Sequence, residues 1–193
     1  MKVENLKVYD LEESLIASGY PMRTDLVEEV TDKAWNRGYH LIIASRENPA
    51  HAQWLTGVRV SFDLTCSNKM WVEAERYRFL EFVSSQSTMH KISKFDIRKC
   101  CNSYVDDEII SILEDLQECY ANNPTQENYL RLLYNVPSGF ELTARLTTNY
   151  RCLLNIYLQR HNHRLPEWRE FCQYMLDNLP KFQEMVSYYL NNE

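Results

Sequence analysis

The stretch Thr147-Thr-Asn-Tyr-Arg-Cys-Leu-Leu-Asn-Ile-Tyr-Leu-Gln-Arg160 decides how the rest of the chain can fold. Placed on a helix, its apolar side chains fall on almost every side, and such a helix is normally buried. Arg151, Asn155 and Gln159 nevertheless repeat every fourth residue and form one narrow polar stripe. Arg160 lies roughly opposite Arg151, because nine steps make about two and a half turns. Burying an unpaired arginine is costly, so the stripe faces water, an internal carboxylate or a bound anion.

Length and composition restrict the class of protein. The chain has 193 residues, of which 45% are hydrophobic, and this predicts one domain over residues 1–193. Acidic residues outnumber basic ones by 27 to 21, which disfavours binding to polymeric nucleic acid. No signal peptide or apolar run long enough to cross a membrane is visible. The six cysteines form no CxxC pair, so we expect a reduced, cytoplasmic protein without a structural metal site.

Residue periodicity predicts both strands and helices. Alternating apolar residues predict strands at Thr56–Thr65 and Phe140–Thr147, and Tyr39–Ser45 is either a strand or a passage from helix to strand. These segments predict an α+β fold with a mixed or antiparallel sheet flanked by several long helices. Capping residues and helical spacing predict helices at Asp10–Gly19, Thr24–Gly38, Asn68–Val83, Val105–Tyr120, Thr125–Tyr134, from Tyr150, and Glu167–Leu190.

Two short motifs have simpler explanations than the chemistry they suggest. His161-Asn-His163 has the letters of a nuclease motif, but it lies between predicted helices and offers no third metal ligand, so a role at the helix junction is expected. The adjacent Cys100 and Cys101 show no relation to a histidine or aspartate in the sequence, and buried structural thiols are the commoner case.

The C-terminal residues carry a more specific pattern. The spacing Asn149-x-Arg151, Asn155 and Arg160, followed by Pro166-Glu-Trp-Arg169, resembles that of the flavin-dependent thymidylate synthases without a gap. The flavin motif of that family, Gln-x-x-Arg-His-Arg, is matched in degenerate form by Gln86-Ser-Thr-Met-His-Lys91. The resemblance covers about residues 50–175.

The resemblance implies a thymidylate synthase-complementing-protein-like fold and a homotetramer that binds FAD across its subunit interfaces. It also implies transfer of a one-carbon unit from methylenetetrahydrofolate to C5 of dUMP, with NADPH as reductant and without a protein nucleophile. Its implied FAD-binding residues are His51, His90, Lys91, Asn149, Arg151 and Asn155.

The substrate half of the pattern departs from the family. Gln86 and Arg160 would address the nucleotide by position. Arg98 and Lys99 stand near the family's phosphate-binding residues but out of register, and Arg131 is the nearest substitute for an arginine upstream of Pro137. Because lysine and arginine are not equivalent at a bidentate phosphate site, a pyrimidine deoxynucleotide monophosphate other than dUMP remains open as substrate.

Three hypotheses follow. The first is an FAD-dependent enzyme that acts on a pyrimidine deoxynucleotide. The second is a non-catalytic protein that keeps the fold and binds or sequesters nucleotides. The third is a structural or interaction protein in which the polar stripe is paired internally.

Overall fold

The fold is built on an antiparallel sheet. The computed structural model describes residues 1–25 and 29–191, and within them the strand order is β1-β2-β4-β3, with every pairing antiparallel. Helices lie around this sheet, which confirms the predicted α+β class. The strands are β1 (Lys2–Tyr9), β2 (Arg59–Ser67), β3 (Glu81–Ser85) and β4 (Glu141–Asn149).

The central strand pair is the one that alternation predicted. Along β2, Val60, Phe62 and Leu64 are buried, because every second side chain points to the same face of a strand. In the register of β2 and β4, Arg59 is opposite Asn149. The first residue of β2 therefore lies beside the residue that leads into the next helix.

Five of the ten α helices in the described part of the chain begin after a residue whose side chain caps a free N–H group of the first turn. Thr125 Oγ1 accepts from Asn128 N at 3.2 Å, and Asn149 Oδ1 accepts from Cys152 N at 2.9 Å. The helices predicted at these positions are confirmed. The helices are α1 (Leu11–Ala17), α2 (Asp32–Ala44), α3 (Asn68–Ala74), α4 (Thr88–Lys91), α5 (Ile97–Cys100), α6 (Asp107–Asn122), α7 (Gln126–Tyr134), α8 (Tyr150–Arg160), α9 (Pro166–Asn178) and α10 (Phe182–Asn191).

Helix α2 lies further along the chain than the sequence suggested. Thr24 is not helical, and residues 26–28 of the predicted helix lie outside the described residues. The helix begins after Thr31, which accepts from Ala34 N, and it buries Tyr39 and Ile42. The strand considered for Tyr39–Ser45 is therefore wrong, since this apolar run continues the buried face of a helix.

The single helix predicted over Asn68–Val83 is also wrong. Helix α3 ends at Ala74, and the chain then forms β3 along the edge of β4. The Phe82 ring packs against Trp71 with 5.1 Å between centroids, and Trp71 Nε1 donates to Leu142 O on β4 at 3.2 Å. Pairing with the free edge of β4 thus overrides the local helical pattern.

A proline divides the predicted C-terminal helix. Leu179 is extended, as expected for a residue that precedes proline, and Lys181 has a φ of 61°. The carbonyl of Pro180 accepts a hydrogen bond from Tyr150 Oη at 2.9 Å. This hydrogen bond connects the turn between α9 and α10 to the first residue of α8.

The main core lies between the sheet and helices α2, α8, α9 and α10. Trp168, Tyr150, Phe62 and Phe171 are among its largest fully buried side chains. A second cluster beneath α6 and α7 contains Ile92, Ile97, Ile110, Leu113, Leu132 and Phe140. Helix α8 is buried on most sides in the main core, as its apolar sequence predicted.

Candidate functional site

A cleft of about 830 Å³ opens at the start of α8, a size usual for small-molecule sites. Its walls come from α8, from the short 3₁₀ helix Pro49–Thr56 and from the loop between α3 and β3. We call it the arginine cleft, because four of its lining residues are Arg59, Arg76, Arg78 and Arg151.

The arginine cleft is cationic in a chain whose net charge is −6. No aspartate or glutamate of the described residues lines it, and Arg59, Arg76 and Arg78 form no ion pair within the described part of the chain. Clustered guanidinium groups repel one another, and planar forks of N–H donors match phosphate and carboxylate oxygens. The cleft is therefore suited to an anionic ligand.

Arg151 is the best-defined of these side chains. Its Nη1 donates to Gln53 Oε1 at 2.5 Å, and its Nη2 donates to Pro49 O at 3.1 Å. Both acceptors are uncharged, so they orient the guanidinium without neutralising it. Arg151 also lies in the first turn of α8, where the helix dipole disfavours a cation and favours an anion. A bound anion would compensate the charge of the Arg151 guanidinium and the positive end of the α8 dipole.

Local structure brings the other arginines to the same place. The β2–β4 register sets Arg59 opposite Asn149, the cap of α8. In the loop after α3, Tyr77 and Leu80 are buried while Arg76 and Arg78 are exposed. The buried pair anchors the loop, so the arginines on either side of Tyr77 face the cleft.

Three predicted FAD-binding residues line the arginine cleft: Asn149, Arg151 and Asn155. His51 is exposed on the 3₁₀ helix whose Pro49, Ala52 and Gln53 line the cleft. His90 and Lys91 are exposed on α4 and are not among the lining residues. The structure thus brings together the C-terminal half of the predicted cofactor set but not its central half.

Arg76 and Arg78 were not among the site residues predicted from the sequence. A second register of the motif Gln-x-x-Arg-His-Arg was present in the sequence, as Glu73-Ala-Glu-Arg76-Tyr77-Arg78. It keeps both arginines, with glutamate in the glutamine position and tyrosine in the histidine position. The signal that could have found it is the motif's place after the strand β2, where it begins in the last turn of α3 and continues into the following loop.

The predicted substrate residues are dispersed. Gln86 Oε1 accepts from Thr143 N at 2.9 Å and so extends the β3–β4 pairing. Arg98 pairs with Asp107 and Glu114 of α6, and Lys99 pairs with Asp96 at 2.6 Å. Arg131 lines a separate recess on α7. Their role in nucleotide binding stays a prediction, and the structure does not gather them into one site.

Arg160 points away from the arginine cleft and is paired inside the protein. Its Nη1 donates to Glu73 Oε2 at 3.0 Å, and its Nε donates to Tyr77 Oη at 2.8 Å. The guanidinium carbon lies 5.1 Å from the Trp168 ring centroid and 5.7 Å from that of Tyr77. Both partners of the ion pair are 14% exposed, so Arg160, which lies off the polar stripe of α8, is compensated by an internal carboxylate.

The carboxylate of Glu73 interacts with several hydrogen-bond donors besides Arg160. Trp168 Nε1 donates to Oε2 at 3.1 Å, and Lys69 Nζ lies 3.5 Å from Oε1. Burial alone would raise the pKa of Glu73, but the Trp168 hydrogen bond and the charges of His163 and Arg160 hold that pKa below its ordinary value. Glu73 is therefore ionised at neutral pH.

The two short motifs lie where a structural role was expected. His161 Nδ1 is 2.9 Å from Tyr157 O, and His163 Nδ1 accepts from Leu165 N at 3.2 Å, so both histidines organise the α8–α9 junction. Within residues 1–25 and 29–191, no group of three His, Cys, Asp or Glu side chains could hold a metal ion. Cys100 and Cys101 are partly rather than fully buried, and this partial burial raises the pKa of both thiols, which makes them poor nucleophiles.

The helices give no sign of a membrane span. In the part of the chain that the structure describes, none is both long and apolar enough to cross a bilayer.

Comparison with known proteins gives a fold but no sequence family. No protein-family model matches the chain, and no curated protein matches it. The crystal structure of thymidylate synthase X from Helicobacter pylori with FAD and dUMP superposes with a TM-score of 0.76 at 16% identity, covering 99% of this chain and 100% of that one. A second structure, the flavin-dependent thymidylate synthase of the same organism complexed with FAD and dUMP, gives a TM-score of 0.73 at 17% identity, with 99% of each chain covered. The chain therefore has the fold of these flavin-dependent thymidylate synthase structures.

Proposed function

We propose that this protein is an FAD-dependent enzyme that transfers a one-carbon unit to C5 of a pyrimidine deoxynucleotide, converting dUMP to dTMP or acting on a related substrate. The observation that carries the proposal is the arginine cleft, in which Arg151 and Asn155 of α8 meet Arg76 and Arg78 of the α3–β3 loop. The solved structures of the same fold contain FAD and dUMP.

The residues of the arginine cleft fit the chemistry of FAD. Its diphosphate is an anion that guanidinium groups bind with two parallel hydrogen bonds. Asn149 uses Oδ1 to cap α8, which leaves its amide group as a further donor. Phe79, which is 56% exposed at the cleft, offers an apolar face to an aromatic ring system. Bound FAD supplies hydride-transfer chemistry that no amino-acid side chain provides.

The protein's own part would be binding and orientation. Arg76, Arg78 and Arg151 would hold the diphosphate, Asn149 and Asn155 would donate to polar atoms of the cofactor, and His51 would reach in from the rim. NADPH and methylenetetrahydrofolate would serve as co-substrates, and a homotetramer would complete the site. No protein nucleophile is required by this proposal.

Flavin binding is the first test. Titration of the purified protein with FAD, followed by flavin fluorescence, should show saturable binding, and Arg151→Ala should abolish it without changing the circular dichroism spectrum. Arg98→Ala is the matched control. Arg98 lies outside the cleft on α5 and forms ion pairs with Asp107 and Glu114 of α6. A wild-type protein that takes up no FAD would refute the proposal.

The chemistry has its own test. Protein loaded with FAD should release tritium from 5-tritiated dUMP in the presence of NADPH and methylenetetrahydrofolate. Release from another 5-tritiated pyrimidine nucleotide, but not from dUMP, would change the substrate and keep the reaction class.

A second candidate is a non-catalytic protein that binds or sequesters a nucleotide. The pairing of Arg160 with Glu73 and the dispersal of Arg98, Lys99 and Arg131 favour it, because they leave the substrate side without a gathered set of cations. Stoichiometric binding of dUMP without tritium release would support this candidate over the enzyme.

A further inference from the structure

The Glu73–Arg160 pair separates the arginine cleft from a second groove. Tyr77, which accepts from Arg160, lines the arginine cleft, whereas Glu73 lines a groove of about 780 Å³ on the other side. Leu158 lines both. Arg160 itself lines neither space. A ligand in the second groove would therefore meet the Glu73 carboxylate, whose Oε2 lies 3.0 Å from Arg160 Nη1, before it could reach the arginine.

We propose that Glu73 acts as an internal competitor for Arg160 and so sets the nucleotide affinity of this chain. The inference rests on the proposed function, because it concerns the arginine expected to address the nucleotide. Arg160 Nη1 lies 2.7 Å from His163 Nε2 as well as 3.0 Å from Glu73 Oε2, so a nucleotide oxygen can take the place of Glu73 on Nη1 only after the carboxylate has moved aside.

The contacts of Glu73 make it an effective competitor. Its Oε2 takes hydrogen bonds from both Arg160 and Trp168, and hydrogen bonds that involve charged groups are stronger than neutral ones. The Arg160 guanidinium is held in place by the Tyr77 and Trp168 rings. Since the arginine is fixed, it is the carboxylate that has to leave.

The charges of the second groove isolate Glu73 further. Lys69, His161, His163 and Arg164 line it, and Glu73 is the one carboxylate among its described lining residues. Without that carboxylate, the ionisable side chains that the described groove presents to a phosphate would all be basic or imidazole groups. Glu73 thus opposes an anionic ligand both by occupying Arg160 and by direct repulsion.

The competition has a simple thermodynamic form. If Arg160 is open to a ligand in only a fraction of molecules, the apparent dissociation constant is the intrinsic one divided by that fraction. A charge-assisted hydrogen bond of ordinary strength keeps the open fraction near one tenth or below. Replacing the carboxylate with a neutral amide of the same shape should therefore tighten nucleotide binding by about tenfold.

The test is a calorimetric titration with dUMP of wild type, Glu73→Gln and Glu75→Gln. Glu75 is exposed and lies two residues further along the chain, so its substitution changes the net charge equally and serves as the matched control. A double variant, Glu73→Gln with Arg160→Ala, removes the arginine without leaving a buried carboxylate unpaired.

The expected result is a dissociation constant about tenfold lower for Glu73→Gln than for Glu75→Gln, with the gain lost in the double variant. Equal affinities in the two single variants, or no dUMP binding by any of them, would overturn the inference. If Glu73→Gln does not fold, Glu73→Asp replaces it, because a carboxylate one methylene shorter withdraws from Arg160 and should also tighten binding.

An FAD titration of the same proteins distinguishes the two possible failures. FAD binding without a gain in dUMP affinity would refute the competitor role alone. A gain in dUMP affinity in a protein that binds no FAD would refute the proposed function and keep the competition between Glu73 and the nucleotide.

Discussion

Arg151 and Arg160 lie on the same helix, yet they have opposite surroundings. Arg151 meets two uncharged acceptors and three further arginines at an open cleft. Arg160 meets a carboxylate and is flanked by two aromatic rings. The helix dipole adds to the contrast, since it disfavours a cation in the first turn and favours one in the last.

The difference shows that two arginines placed by one sequence pattern can have unequal roles. An arginine whose charge is compensated inside the protein contributes to the fold, and a ligand has to displace its partner. An arginine oriented by neutral groups keeps its charge for a ligand. In this molecule the first description fits Arg160 and the second fits Arg151, although the sequence pattern gave them equal weight.

The largest expected effect comes from removing each arginine in turn. Arg160→Ala should lower the free energy of unfolding by about 3 kcal/mol, because it removes the closest ion-pair partner of the largely buried Glu73 carboxylate. Arg151→Ala should lower it by less than about 1 kcal/mol, since its acceptors are neutral and partly solvated. Urea denaturation at neutral pH measures both. Equal losses of stability would remove the distinction between the two arginines.

Local pattern was sufficient to predict some elements. Strands β2 and β4 have strong alternation, and helix α8 follows a capping asparagine. The predicted positions of these three elements agree with the structure to within three residues. The strand β3 was missed, because its conformation depends on the free edge of β4 rather than on its own residues. Helix α2 was misplaced, because a buried helical face resembles a short apolar strand.

The candidate site was only half predictable for a related reason. The α8 residues could be found because their spacing lies within one helix. Arg76 and Arg78 lie in a loop, where no periodicity marks them, and a degenerate motif allowed two registers. The partner of Arg160 is 87 residues away in sequence, and such a pairing depends on how α3 packs against α8. The ion pair between Arg160 and Glu73 can therefore be identified only from the tertiary structure.

A smaller effect should separate the two registers of the central motif. Arg76→Ala and Arg78→Ala should each weaken FAD binding about tenfold, the cost of one charge-assisted hydrogen bond. Substituting Ala for His90 or Lys91, which do not line the arginine cleft, should leave the dissociation constant unchanged in a fluorescence titration. If His90→Ala weakens binding and Arg78→Ala does not, the register that begins at Gln86 is the functional one.

The smallest effect is a difference in how stability responds to acid. Because the pKa of Glu73 is lowered in the folded protein from its ordinary value of 4.5, its ionisation contributes stability that is present above that value. This contribution is lost as the pH falls through the lowered pKa.

Wild type should therefore lose more stability than Glu73→Gln between about pH 6 and pH 3, because the amide does not titrate. Arg151→Ala should follow the wild-type curve, since Arg151 has no carboxylate partner in the described residues. Urea denaturation across this pH range gives the three curves. Parallel curves for wild type and Glu73→Gln would mean that Glu73 has the same pKa in the folded and unfolded chains, and that the Arg160 pair adds no stability through ionisation of the carboxylate.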